Sequence, residues 1–212
     1  MRTIGKVTLQ SDENGLVTLQ CDRCKSRFKM SCDYLDNDLH GDICCPICGI
    51  SESLNSFWPE EVVEEARKIH NTSPTATAAL GRVLTAACII GMTLKNEKDT
   101  LTLKIKGNGP IGSIVSVANS SGEVKGYVDN PLVDVPRRSD GKLDVGRLVG
   151  KNGQIAVIKD LGLKEPFIGY SNLVSGEIAE DLANYFYYSE QQPTAISLGV
   201  LVDTDTSVRA AG

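Results

Sequence analysis

Six of the seven cysteines (Cys21, Cys24, Cys32, Cys44, Cys45 and Cys48) fall within 28 consecutive residues, and the rest of the 212-residue chain holds only Cys88. Thiols at that density are either cross-linked or loaded with metal, and their spacing distinguishes the two. The pattern is Cys21-Asp-Arg-Cys24 and, twenty residues later, Cys45-Pro-Ile-Cys48-Gly49. Two cysteines three apart turn both thiolates toward one ion through a tight knuckle. A second knuckle completes a tetrahedron with Zn–S distances of ~2.3 Å. Gly49 lets the chain turn sharply after the last ligand. The sequence therefore predicts a zinc ribbon over residues 1–58, with Zn2+ held by Cys21, Cys24, Cys45 and Cys48. Cys44 is the alternative to Cys45, Cys32 is a spare thiol between the knuckles, and His40 is a further donor in the DNDLHGD stretch. A module of this size buries little apolar surface, and bound metal compensates for that. The opening MRTIGKVTLQSDENG has no apolar signal core, so a cytoplasmic chain, and zinc rather than disulfides, is expected.

A zinc ribbon can bind nucleic acid or act as a structural or redox-sensitive clamp. Residues 1–58 carry six Lys/Arg against eight Asp/Glu, and the whole chain has formal net charge −5. Nucleic-acid modules usually carry a basic excess, so the charge balance disfavours that partner. The longest uncharged apolar run, about Ala86 to Leu94, is shorter than the ~18–20 residues of a membrane span.

From Pro59 the pattern changes, and residues 59–212 read as a second, larger domain. EEVVEEARKIH is helical, with Val62, Val63, Ala66 and Ile69 on one face, acids in its first turn and bases in its last. Ser73-Pro74 supplies an N-cap and a first helical residue. The following Thr75–Lys95 stretch is apolar on nearly every face, as befits a buried central helix. Beyond it Leu101, Leu103 and Ile105 alternate with Thr102, Lys104 and Lys106, a half-buried strand. Strand-like stretches recur at Ile111–Ala118, Glu123–Val128, Gln154–Lys159, Phe167–Val174 and Ile196–Val202. Helical ones lie at Lys142–Val149 and Glu177–Gln191, the latter with Ile178, Leu182, Tyr185 and Phe186 on one face. The fold class is α+β, a mostly antiparallel sheet with packed helices, preceded by the ribbon. KVTLQ and LVTLQ flanking SDENG read as a hairpin leading into the first cysteine pair.

Catalytic patterns are weak. Gly107-Asn-Gly109-Pro-Ile-Gly112 has the letters of a phosphate-binding loop, but strands follow it instead of a helix. His40 and His70 are the only histidines, and no nucleophile–base pair is organised around them, so the reading is non-enzymatic. Cys88 fits a small core hydrophobe. Four successive aromatics, Tyr185 to Tyr188, cannot all be buried by one helix face, so Tyr187 and Tyr188 are left for the surface or a contact.

The stretches EEARKIHNTSPTATAALGRVLTAACIIGMTLK, LTLKIKGNGPIGSIVSVANSSGEVKGYVDNP, KLDVGRLVGKNGQIAVIKDLGLKEPF and VSGEIAEDLANYFYYSEQQPTAISLGVLVD carry a resemblance. In this order, from about Glu64 to Gly212, they resemble the redox-regulated thirty-three-kilodalton heat-shock chaperone family of bacteria. The resemblance implies an ATP-independent holdase that binds unfolded client proteins under oxidative stress in the cytoplasm and dimerises when active. It also marks departures. The family's zinc-binding cysteines lie near its C-terminus, after a helical linker, whereas this sequence ends at Ala210-Ala211-Gly212 with no residue at those positions. Its N-terminal ribbon is not part of the family's usual layout.

Overall fold

The computed structural model describes residues 61–212 and, ahead of them, the backbone of six short strands. These are β1 (Arg2–Ile4), β2 (Val7–Leu9), β3 (Leu16–Gln20), β4 (Arg27–Ser31), β5 (Asp42–Cys44) and β6 (Ser51–Ser53), paired antiparallel as β1–β2, β3–β4 and β5–β6. This corrects the expected KVTLQ–LVTLQ hairpin. Val7 pairs with Ile4 across two residues, while Leu16–Gln20 pairs with Arg27–Ser31. Closing the shorter loop costs less chain entropy, so β2 takes its nearer neighbour.

The larger unit begins with α1 (Glu61–His70) and α2 (Pro74–Gly91). Ser73 caps α2: its hydroxyl oxygen accepts the Ala76 N–H at 3.2 Å and its proton goes to the Val133 carbonyl at 2.5 Å. By composition α2 is long and apolar enough to cross a membrane, but 72% of it is buried inside the fold, as expected of a core helix. It lies on a five-stranded antiparallel sheet of β7 (Thr100–Lys106), β8 (Ser113–Asn119), β9 (Val124–Val128), β10 (Gln154–Asp160) and β11 (Phe167–Asn172) in the order β11-β10-β7-β8-β9. Between β9 and β10 is the short helix α3 (Val145–Val149), capped by Asp144, which accepts the Arg147 N–H. After β11 come α4 (Ile178–Tyr188) and a hairpin of β12 (Val200–Val202) and β13 (Val208–Ala211).

Register explains which face holds the helices. Across the middle of the inner face run Gly169, Val157, Leu103, Ser116 and Gly126. The small residues leave room for Leu84 of α2 against Gly126 and for the Tyr185 ring of α4 against Gly169. Leu101, Leu103, Ile105, Ile114, Ile155 and Val157 are buried beneath them, together with Ile178, Leu182 and Tyr185. The Tyr185 hydroxyl donates to Glu190 at 2.7 Å, and the Lys159 ammonium reaches the same oxygen at 2.6 Å, fastening the end of α4 to β10. Burial opposes the charge on Glu190, but these two bonds outweigh it and hold the carboxyl below the usual range.

Several boundaries shift. Ile69 is 67% exposed, so the buried face of α1 is narrower than expected: Val63 is buried, and Val62 and Ala66 partly so. The strand expected over Ile196–Val202 is shorter: β12 covers Val200–Val202, extended toward its start only by the reciprocal Gly199–Gly212 hydrogen bonds. Helix α3 starts at Val145 because Asp144 is spent as its cap. Glu177 precedes α4 with its carboxylate 2.7 Å from Arg82 instead of capping the helix.

Glu64 of α1 joins the C-terminal hairpin to the helices: one oxygen accepts the Val208 N–H at 3.0 Å, and the carboxylate pairs with Arg67. The Arg67 hydrogen bond is the main reason its pKa falls to about 2, with the Val208 bond adding to it and burial opposing. A depressed carboxylate stabilises the fold above its ordinary value near 4.5, and that contribution is lost as pH falls toward 2. Glu64→Gln is therefore expected to lower the thermal midpoint at pH 7 and to flatten the loss of stability between pH 4.5 and 2, as followed by circular dichroism.

Candidate functional site

The outer face of the five-stranded sheet is the most unusual surface among the described residues. Two cross-strand rows make it. One runs Tyr170, Ala156, Lys104, Val115, Tyr127, and the next Ile168, Ile158, Thr102, Val117, Lys125. Both α2 and α4 pack on the opposite face, where Gly126 and Gly169 receive them. Tyr127, Ile168 and Tyr170 are 48%, 43% and 57% exposed, and Val115, Val117 and Ile158 are half-buried. An antiparallel sheet with one solvated face normally alternates apolar-in with polar-out, so a run of Tyr170, Ala156, Val115 and Tyr127 with Ile168, Ile158 and Val117 on the outer face, beside Thr102, Lys104 and Lys125, marks an apolar patch suited to contact. The sequence held a signal for it: GSIVSVA, IAVIK and FIGY are apolar at successive positions, which places apolar side chains on both faces.

Aromatic exposure continues onto α4. Tyr185 is fully buried and Phe186 packs edge-on against it with ring centroids 5.6 Å apart. Tyr187 and Tyr188 are 56% and 70% exposed and form their own T-shaped pair at 4.9 Å. This is the division expected of four successive aromatics on one helix.

The Gly107–Gly112 segment is a turn between β7 and β8 with no helix after it. Its amides are already used: Gly109 N–H donates to the Val149 carbonyl at 2.8 Å and Ile111 N–H to the Leu148 carbonyl at 3.3 Å. Those donors are not available to a phosphate. Cys88 is buried on α2, its thiol 3.5 Å from the Gly122 carbonyl, and burial pushes its pKa up to about 12, as suits an inert core thiol.

Of the expected metal ligands, Cys21, Cys24, Cys45 and Cys48 lie outside the described residues, as do Cys32 and His40. Cys44 is the last residue of β5. Gln20 pairs with Arg27, so residues 21–26 connect β3 to β4, and Cys44 pairs with Ser51, so residues 45–50 connect β5 to β6. Each connection is six residues long and reads Cys-x-x-Cys-x-x.

Comparison with known proteins addresses the larger unit. Residues 59–212 match the family model described as Hsp33 protein. The 33 kDa chaperonin of Thermoanaerobacter sp. (strain X514) is 56% identical over 152 residues, covering 72% of this chain and 52% of that protein. The 33 kDa chaperonin of Alkaliphilus metalliredigens (strain QYMF) is 57% identical over 151 residues, 71% of this chain and 52% of its relative. The crystal structure of the 33 kDa chaperonin (heat shock protein 33 homolog) from Thermotoga maritima superposes with a TM-score of 0.68 at 51% identity, over 72% of this chain and 51% of that one. The chain thus spans about half the length of the curated relatives it matches. With the family model covering well over half of the chain, and the solved relative sharing both sequence and fold, the chain belongs to the Hsp33 family.

Proposed function

We propose that this chain is an ATP-independent holdase, a non-enzymatic chaperone of the Hsp33 type that captures unfolded client proteins in the cytoplasm. The observation that carries the reading is the apolar patch on the outer face of the sheet, with Tyr127, Ile168 and Tyr170 exposed around half-buried Val115, Val117 and Ile158. An unfolding protein exposes apolar side chains, and covering them against this face removes both surfaces from water at ~25 cal/mol per Å2. The attraction is non-directional, so it needs neither a shaped pocket nor one client sequence. The name of the relatives, 33 kDa chaperonin, supports the chaperone part of this assignment. The test is light scattering from a thermally unfolding client: near-stoichiometric chain suppresses the rise, and unchanged scattering rejects the holdase. Dimerisation of the active form belongs to this reading and is checked by sedimentation of the client-bound chain.

The N-terminal module completes the proposal as a zinc site of Cys21, Cys24, Cys45 and Cys48. When bound, Zn2+ supplies a structural cross-link between the two Cys-x-x-Cys connections, and thiolates held this way remain oxidisable. The expected result is one zinc per chain by elemental analysis. Native thiol titration then shows Cys32 and Cys44 reacting first, the four ligands only after chelation, and Cys88 only after unfolding. No zinc and six fast thiols would contradict the site.

A second reading has one observation in its favour. Lys104, Lys106 and Lys125 point the same way as Tyr127 and Tyr170 on the sheet. Cations beside aromatic rings on an open sheet suit single-stranded nucleic acid, with the ribbon as an adaptor. Anisotropy with single-stranded and duplex oligonucleotides over a salt series discriminates, since that binding weakens steeply with salt.

A further inference from the structure

A cleft of about 430 Å3 opens between the outer face of α4 and the segment that follows it, lined by Val174, Glu180, Asn184, Tyr187, Tyr188 and Pro193 among others. A second cleft, about 350 Å3, adjoins it through Asn184 and Tyr188 and is lined by Tyr170, Gln154 and Asn172. Since Tyr170 also belongs to the outer sheet face, the two clefts run on from that face. Their charge is one-sided. Glu180 is the single charged side chain lining either cleft, and it makes no hydrogen bond or ion pair among the described residues. It stands one and two helical turns from Asn184 and from the Tyr187–Tyr188 pair, on the same side of α4. The two rings meet at 83°, so they form a corner instead of a stack.

We propose that this corner holds a cationic side chain, arginine or lysine, of an unfolded polypeptide whose apolar neighbours lie on the sheet. A guanidinium against an aromatic face gains cation–π attraction, and the unpaired Glu180 carboxylate supplies the complementary charge. The sheet face alone selects apolar segments; the cleft adds a preference for those with a basic residue. This inference rests on the holdase reading for its occupant, and its test is independent of aggregation.

The probe is a fluorescein-labelled peptide of alternating leucine and arginine, set against the same peptide with each arginine replaced by citrulline, which keeps the shape and removes the charge. Anisotropy titration of the full chain is expected to show the arginine peptide binding about 3- to 10-fold more tightly. In Glu180→Gln, and separately in Tyr187→Leu/Tyr188→Leu, the ratio of arginine-peptide to citrulline-peptide affinity is expected to fall by about 2- to 5-fold, whatever each variant does to the two affinities together. Taking the ratio cancels any loosening of α4 when an acid leaves its first turn, since that weakens both peptides alike. Equal affinity of the two peptides for the wild-type chain overturns the proposal, as does an undiminished preference in both variants. Failure to suppress aggregation with the preference intact would reject the holdase and leave the cleft standing.

Discussion

Replacing Ile168 and Tyr170 together by lysine is expected to reduce client affinity about thirtyfold while leaving the fold intact. Both side chains stand on β11 at the edge of the sheet, 43% and 57% exposed, on the face away from the helices. Their remaining exposed area is what a bound client would cover, worth about 1 kcal/mol for each side chain, and the two together correspond to the thirtyfold change. Little native packing is lost, and lysine is tolerated on edge strands, so stability should move by less than about 0.5 kcal/mol. The measurement is the concentration of chain needed for half-suppression of client scattering, alongside the thermal midpoint. Lysine also separates the two functional readings. Capture of apolar clients falls, whereas binding of a single-stranded oligonucleotide would rise with two added cations.

The second large effect concerns the end of the sheet where three turns meet. A Cβ on Gly107 or Gly109 would collide with the backbone carbonyls of Val149 and Leu148, and one on Gly153 with that of Lys106. These approaches let Gly109 and Ile111 donate to the carbonyls of α3, which seats buried Leu148 and Val149 against the core. Backbone cannot rotate aside as a side chain can. Gly109→Ala is accordingly expected to cost at least about 3 kcal/mol, read as a lower midpoint in urea, with loss of both client binding and sheet signal. Gly141→Ala is the control. Unlike Gly109 it has a positive φ, 81°, but nothing lies within 4 Å of its added Cβ, so only backbone strain is left and its cost should stay near about 1–2 kcal/mol. The letters Gly-x-Gly-x-x-Gly thus serve close packing of turns, and the glycines are needed for a reason unrelated to nucleotides.

Where local chemistry decides structure, the sequence was informative. Ser73-Pro74 started α2 where capping rules place it, and the apolar run behind it was buried as its composition demands. Ile178, Leu182 and Tyr185 face the core from α4, as their spacing required. Strand order was not legible, because the placement of β10 beside β7 depends on contacts about fifty residues apart. Ile69 escaped its expected burial for a related reason: periodicity defines a stripe on α1, but only a neighbouring element decides how much of it is covered. The candidate surface was half legible. Aromatic excess at Tyr187 and Tyr188 pointed to the exposed end of α4. The outer sheet face needed the register, which alone shows that Tyr170, Val115 and Tyr127 belong to one row. The resemblance carried by residues from Glu64 onward agrees with the family match over residues 59–212.

The central claim is that clients bind the outer face of the sheet, and site-specific photo-cross-linking tests it most directly. A benzophenone side chain is placed in turn at Tyr127, at Tyr170 and at Leu132, which is 70% exposed but lies in the loop after β9. The chain is then irradiated during thermal unfolding of a client. Strong client adducts from positions 127 and 170, with little from 132, are the predicted result. Adducts as abundant from position 132, or none from the two sheet positions, would contradict the account.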